Sequence, residues 1–247
     1  MTKIAILSDI HGNMDALLSV LSDARELGIT SYFVCGDITG YYYDTAGIWR
    51  ILNEIGAVMC RGNHENILSD WIAANEGTKE ELRKKYGSSF RIACEEMSQD
   101  ELNSLISLAH PVDVEMNGVR FLLSHGSPWS ESHYIYPDKI GDNYSDLKEY
   151  LEKYDVILMG HTHYQFSREE MDCLIINPGS VGQPRSGKEY GDGATSRAQW
   201  AFYDTEQRMY ELRTSYYNPS RIFAQIEQHD PDVPYLEKIL RRQENTI

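Results

Sequence analysis

Long apolar runs are missing from this sequence. No stretch approaches the roughly 18 apolar residues that a membrane-spanning helix needs, and the short run Ile4 to Leu7 is followed at once by Ser8 and Asp9. Neither a membrane partner nor a secretory leader is expected, and the chain reads as cytoplasmic. Positive charge is also scarce, with 23 Lys and Arg against 38 Asp and Glu and a formal net charge of -15. That balance argues against stable nucleic-acid binding, which needs a basic face. It leaves a small phosphate-bearing substrate open, because bound dications can reverse the field locally. Cysteine is sparse: Cys35, Cys60, Cys94 and Cys173 form no C-x-x-C, and most lie in strand-like apolar runs, the setting of reduced thiols that act as small hydrophobes. Internal repeats and low-complexity tracts are absent. With 41% apolar and 25% charged residues, the expectation is a single domain over residues 1–247.

The pattern that is present begins with alternation of strand and helix. Lys3 to Leu7 reads as a buried strand, Asn13 to Leu27 as an amphipathic helix stopped by Gly28, and Ser31 to Cys35 as a second strand. A helix over Thr45 to Ile55 and a strand over Ala57 to Cys60 follow, and this βαβαβ opening implies right-handed crossovers and a parallel sheet. From about 66 to 109 the chain turns to polar helix, read as an insertion over one edge of the site. Asn117-Gly118 between apolar or alternating runs marks a hairpin whose second arm ends at His125. Gly126 to Asn143 is a long loop rich in aromatics, and its length points to function or mobility. A helix over Tyr144 to Glu152, strands over Val156 to Met159 and Cys173 to Ile176, a hairpin from Gln199 to Tyr216 and a helical tail over about 218–247 complete the reading.

Chemistry gathers where the strands stop. Asp9 and His11 follow the first strand in SDIHG, Asp37 sits in GDITG, Asn63 and His64 in RGNHE, His125 in LLSHGS, and His161 and His163 in MGHTH. Apolar runs that each end in Gly or Ser and a metal-binding group are what an α/β protein shows when its strand ends converge on one crevice. Carboxylate, imidazole and amide oxygen together suit manganese or iron, with zinc also admissible, better than calcium. Two divalent ions held by Asp9 and Asp37 would keep a surplus of about two positive charges, enough to acidify a bridging water and hold a phosphate.

These motifs in this order, D-x-H, GDxxG, GNH, a strand ending in His-Gly and GHxH, resemble the calcineurin-like metallophosphoesterase superfamily, and the likeness runs from residue 4 to about 185. The resemblance implies an α/β fold, a four-layer α/β/β/α sandwich of two mixed sheets, here with a helical insertion. It implies two divalent or trivalent transition-metal ions, one held by Asp9, His11, Asp37 and His163 and the other by Asp37, Asn63, His125 and His161. It places His64 beside the phosphate as general acid or transition-state stabiliser, with hydrolysis by a metal-activated hydroxide. The segment NPGSVGQPR, Asn177 to Arg185, is similar to one in the smaller bacterial and archaeal branch, which includes phosphodiesterases and nucleotide phosphatases.

The chain departs from the protein serine/threonine phosphatase branch. That branch usually reads GDxxDRG, and Gly40 stands here where its second Asp would be. The residue that orients His64 is therefore not given by the motif. The expected substrate is a small phosphate ester, of the nucleotide phosphodiester or polyphosphate type, ahead of a phosphoprotein or phosphomonoester. A non-catalytic binding scaffold on the same fold is the alternative of another class, but scaffolds tend to lose the catalytic His or a ligand, and all are present here.

Other residues keep two readings. Arg61 either clamps phosphate oxygens or pairs with a nearby carboxylate, and Arg185 is a weaker candidate of the same kind. Tyr41, Tyr42, Tyr43, Trp129, Tyr134 and Tyr136 either wall the site for a nucleobase or pack in the core or at a dimer contact. Homo-oligomerisation is left open by the sequence. His110, His133 and His229 lie outside any motif, and Glu65 is expected to support its neighbours.

Overall fold

A computed structural model describes residues 3–185 and 195–241. The outer limits of the expected domain and the end of the expected tail, 242–247, lie outside the described residues. In chain order the elements are β1 (Lys3–Leu7), α1 (Met14–Glu26), β2 (Ser31–Cys35), α2 (Thr45–Glu54), β3 (Val58–Cys60), α3 (Asn63–Ala73), α4 (Glu76–Tyr86), α5 (Ser89–Glu96) and α6 (Gln99–Ile106). Then come β4 (Val112–Met116), β5 (Val119–Leu123), α7 (Tyr144–Lys153), β6 (Val156–Leu158), β7 (Phe166–Glu170), β8 (Cys173–Asn177), β9 (Ser196–Asp204), β10 (Met209–Tyr217), α8 (Ser220–His229) and α9 (Tyr235–Leu240).

The strands form two mixed five-stranded sheets, ordered β10-β9-β1-β2-β3 and β4-β5-β6-β8-β7. In the first, β1, β2 and β3 run parallel while β9 and β10 add antiparallel. In the second, β5, β6 and β8 are parallel, and antiparallel β4 and β7 close the two edges. The sheets pack face to face through Ile4, Ile6, Phe33, Phe121, Leu123, Val156, Leu158 and Ile176. Strands buried on both faces read as continuous apolar runs, which is why IAIL and SYFVC lack alternation. Helices α1 and α2 and the insertion cover the outer face of the first sheet around Leu17, Val20, Ile48, Leu52 and Trp200. Helix α7 covers the second sheet through Leu147 and Leu151. This is the expected four-layer arrangement.

Local chemistry explains the boundaries. Asn13 caps α1 by accepting from the Ala16 N–H at 3.1 Å, and its amide donates to the Gly182 carbonyl at 3.2 Å and the Tyr217 hydroxyl at 2.8 Å. Asn117 and Gly118 take φ of 52° and 72°, the left-handed pair that a tight hairpin turn requires, and Met116 pairs with Val119 across it. All four cysteines are free thiols, and Cys35 and Cys60 sit side by side in register in the buried ends of β2 and β3.

Two expectations need correction. The helical insertion starts at Asn63, not near 66, so Asn63 and His64 open helix α3. Strand β7 was not expected at all, because FSREE is a polar edge strand with only its first residue buried. Within the aromatic loop, short 3-10 turns lie at Pro137–Lys139 and Gly141–Asn143. Among the described residues, no helix is long and apolar enough to cross a membrane.

Candidate metal centre

The site lies where the carboxyl ends of β1, β2, β3, β5 and β6 meet. Backbone hydrogen bonds tie the turns to one another: Asp9 N–H to the Gly36 carbonyl at 3.1 Å, His11 N–H to Asp37 at 3.0 Å, and Ser124 N–H to Leu158 at 2.9 Å. Asp9, His11, Asp37, His161 and His163 all have left-handed φ, of 54°, 52°, 54°, 65° and 56°. Each such residue costs roughly 1–3 kcal/mol unless its surroundings over-determine it, and clusters of them mark functional sites. Part of that over-determination comes from Glu65. Its fully buried carboxylate accepts from the N–H groups of Ile38 (2.8 Å), Thr39 (3.2 Å), Asp37 (3.0 Å) and Gly62 (2.7 Å), locking the GDITG turn to the start of α3.

The imidazoles are oriented from behind by backbone carbonyls. Nδ1 of His11 faces the Thr39 carbonyl at 3.1 Å, Nδ1 of His163 faces Gln183 at 2.8 Å, and Nδ1 of His125 faces Cys35 at 2.7 Å. A carbonyl only accepts, so Nδ1 carries the proton and the Nε2 lone pair points into the site, the arrangement usual for metal-ligating histidine. His11 Nε2 and His163 Nε2 stand 3.1 Å apart, and His163 Nε2 is 3.1 Å from Asp9 Oδ1. On the other side His125 Nε2 is 3.2 Å from Asp37 Oδ2 and 3.1 Å from Asn63 Oδ1. Asp9 Oδ1 and His161 Nε2 are buried with no hydrogen-bond partner among the described residues. Lone pairs and carboxylate oxygens facing one another at these distances repel unless a cation stands among them, so the donors fit bound metal.

Electrostatics agree. Burial alone would raise both carboxyls, but His163 and His125 hold Asp9, and His125 and His64 hold Asp37, well below the usual carboxylate range. Burial pulls His125 down, yet Asp37 and Asp9 push it up to about 10, so the two carboxylates draw positive charge to Nε2, a proton or, in its place, a cation that takes the lone pair. Burial, with neighbouring imidazoles, takes His11 well below its ordinary value and His161 to about 4. The result is a buried anionic pocket lined by imidazoles, which demands positive charge at its centre.

The donor atoms fall into compact sets that share residues: Asp9, His11 and His163; Asp37, His125 and His161; and also His11, Asp37 and His64, each with ligand atoms within 4.8 Å of one another. His64 thus comes within ligand reach, and its expected role in chemistry and not ligation rests on the family resemblance. Its backbone N–H donates to Asp37 Oδ1 at 2.8 Å, and burial lowers its ring pKa to about 4.

The model of the calcineurin-like phosphoesterase superfamily domain matches residues 2–196. The chain belongs to that superfamily. It is 28% identical over 248 residues to the uncharacterized protein MJ0912 of Methanocaldococcus jannaschii, covering 91% of this chain and 92% of that one. It is also 24% identical over 177 residues to phosphodiesterase MJ0936 of the same organism, covering 72% of this chain and 82% of the relative. In fold it is similar to hypothetical protein PH1004 of Pyrococcus horikoshii OT3, with TM-score 0.78, 19% identity and full coverage of both chains. The superfamily comprises metal-dependent phosphoester hydrolases, and the donor clusters here could hold such metals.

The other candidates take varied positions around this candidate centre. Arg61 pairs with Glu131, Nη2 to Oε1 at 2.8 Å, the structural alternative of its two readings. Tyr41 is turned inward, with its ring 4.9 Å from both His11 and His64. Trp129 packs on His133 and Tyr150, with ring centroids 5.5 Å and 6.1 Å away. Arg185 Nε is buried with no hydrogen-bond partner among the described residues, while its backbone N–H donates to the His163 carbonyl at 2.9 Å.

Sequence reasoning left two contributors unassigned. His110 Nε2 accepts the backbone N–H of His125 at 3.1 Å, and Tyr86 lies 5.0 Å from the His64 ring. Neither carries a motif. The placement of His110 beside Pro111, just before the hairpin that delivers His125, was the one available signal.

Proposed function

We propose that this chain is a two-metal phosphoesterase that hydrolyses small nucleotide-type phosphodiesters or polyphosphates. The observation that carries the reading is the pair of inward-facing donor sets on either side of Asp37, each imidazole of His11, His163 and His125 having its Nδ1 on a backbone carbonyl. One site would take Asp9, His11, Asp37 and His163, the other Asp37, Asn63, His125 and His161, with manganese or iron favoured by the mixture and zinc admissible. When bound, two such ions supply Lewis acidity and an activated water.

The chain's own residues do the rest. Asp37 serves both sides, and the Glu65 cradle keeps its turn fixed. Nδ1 of His64 is buried against Gly40, which leaves Nε2 as the nitrogen able to address the leaving-group oxygen. Burial lowers the ring's pKa to about 4, and a phosphate anion beside it would favour the protonated ring that a general acid needs. Arg185, whose Nε has no hydrogen-bond partner among the described residues, is suited to a phosphate oxygen.

Two features support a small nucleotide-type substrate. Tyr134 lies with its ring 4.0 Å from that of His161 while 47% exposed, a wall beside the centre on which a base could stack. The formal charge of -15 repels long polyanions at a distance. Gly40 argues against the protein phosphatase arrangement, since a Cβ there would overlap His64 Nδ1.

The test is a screen of metal-stripped protein with manganese added back, against phosphomonoesters, aryl phosphodiesters, dinucleoside polyphosphates and phosphoserine peptides. Manganese-dependent hydrolysis of the diesters or polyphosphates, faster than of the peptides, is expected. Equal or better rates on phosphoserine peptides would contradict the substrate class.

A further inference from the structure

Among the described residues, no carboxylate stands behind His64. Its Nδ1 is buried without a hydrogen-bond partner among those residues, and Gly40 could not carry a carboxylate there, because a Cβ at that position overlaps the nitrogen. Orientation of a catalytic imidazole is commonly the task of a hydrogen bond to the nitrogen that does not react. In this chain the ring is boxed by other rings instead. Tyr41 lies at a centroid distance of 4.9 Å and an interplanar angle of 33°, Tyr86 at 5.0 Å and 76°, and Phe90 at 6.2 Å and 42°. Tyr86 meets Tyr41 edge-on at 5.5 Å and Phe90 at 5.8 Å, so the box is itself interlocked.

Tyr86 ends α4 and Phe90 lies on α5, both in the helical insertion. The turn between them is latched from the C-terminal region. Asp230, fully buried just after α8, accepts from the Ser88 N–H at 2.7 Å, the Ser88 hydroxyl at 2.7 Å, the Tyr43 hydroxyl at 2.9 Å and Arg83 Nη1 at 3.3 Å. Gly87, between Tyr86 and Ser88, has φ of +70°, and a Cβ there would stand 2.7 Å from Leu236 Cδ1. The latch therefore fixes where Tyr86 can stand.

We propose that Tyr41 and Tyr86 are positioning residues that orient His64 by ring packing, with the Asp230 latch holding Tyr86 in place. The proposal rests on the reading of His64 as the proton-delivering group. Edge and tilted ring contacts have defined geometries, and a ring flanked by Tyr41, Tyr86 and Phe90 meets them when it turns about its Cβ–Cγ bond. The helical insertion is then a working part of the site.

The experiment compares His64→Ala, Tyr86→Phe, Tyr86→Leu and Asp230→Asn in the manganese-loaded full chain, using phosphodiesters with good and poor leaving groups. Tyr86→Leu is expected to lower kcat on the poor leaving group by about 10- to 100-fold, the scale of a misplaced catalytic group, with a smaller loss on the good one and KM little changed. Tyr86→Phe keeps the ring and most of the turnover, and Asp230→Asn shows the Tyr86→Leu pattern in weaker form. As a readout apart from activity, the ring nitrogen resonances of His64 in metal-free, 15N-histidine-labelled protein should broaden or shift in Tyr86→Leu and not in Tyr86→Phe. Melting temperature and metal content of each variant separate unfolding from misorientation. If His64→Ala abolishes turnover while Tyr86→Leu leaves kcat and the ring resonances as they were, the orienting role is wrong and the assignment of His64 stands. If His64→Ala leaves turnover intact, both fall. A loss in Tyr86→Phe as large as in Tyr86→Leu would assign the role to the phenol hydroxyl and overturn ring packing.

Discussion

The metal cradle and the rim around it are held by different means. Asp9, His11, Asp37 and His125 are 0–1% exposed, and backbone groups fix them: carbonyls behind the imidazoles, N–H groups on Glu65, left-handed turns at the strand ends. The rim is made of side chains touching side chains. Tyr86 and Phe90 come from the insertion and Tyr134 from the loop after His125, and each meets a site imidazole by ring contact, while Tyr136 stacks on Tyr134. The cradle is built to hold charge, whichever phosphate ester enters. On the proposed function, the rim is expected to decide how the ester is placed and which one fits.

That contrast can be broken most strongly at His64, where cradle and rim meet. His64→Ala is expected to lower turnover by roughly 10²- to 10⁴-fold, with metal content and melting temperature close to the parent. Assays with good and poor leaving groups check it, the good one suffering less because it needs less protonation. Loss of a metal ion in this variant would instead make His64 a ligand, as its reach to His11 and Asp37 allows.

Next is the cradle's support. Glu65→Ala removes the shared acceptor of four backbone N–H groups. Each orphaned buried donor costs about 1–3 kcal/mol, so a loss of at least about 4 kcal/mol and a fall in Tm of at least roughly 8 °C are expected. Thermal unfolding of the metal-free chain measures this without interference from ligand binding.

The rim is tested by Tyr134→Ala. It should weaken nucleotide binding by about 1–3 kcal/mol, which is the worth of one stacked base, and leave a plain alkyl phosphodiester unaffected. Michaelis constants for the two substrates, measured side by side, decide it. Equal effects on both would remove the base-stacking wall.

The smallest effect is one of pH. Burial outweighs Glu131 and, with His125 and Arg61, lowers His110 to about 4, below its ordinary value, and its neutral Nε2 holds the His125 N–H. A base depressed in the folded state binds fewer protons there than when unfolded. Its contribution is present above about 6.5, the ordinary histidine value, and is lost as pH falls towards 4. The gap in Tm between the parent and His110→Phe should therefore narrow between pH 7 and pH 4.5.

The same contrast explains what the sequence made legible. Asp9, His11, Asp37, Asn63, His125, His161 and His163 could be read because each stands within a few residues of a strand end, and local grammar carries that placement. Strand β7 could not, since FSREE hides only Phe166 and its pairing with β8 is set by its neighbour and not its own pattern. The start of α3 at Asn63 was hidden by Gly62, which makes no side-chain cap. Tyr86 was invisible for another reason: its contact with His64 joins distant segments through ring geometry, which no spacing encodes. Tyr41 was seen as an aromatic near the site, but its inward direction follows from packing on His11 and His64.

The central claim is that Asp37 is shared by two metal ions. Elemental analysis of metal-loaded parent and Asp37→Asn protein tests it most directly. The account predicts about two transition-metal ions per chain in the parent and loss from both sites when the bridging charge is removed. Parent protein with no metal above background, or Asp37→Asn protein that keeps both ions, would contradict it.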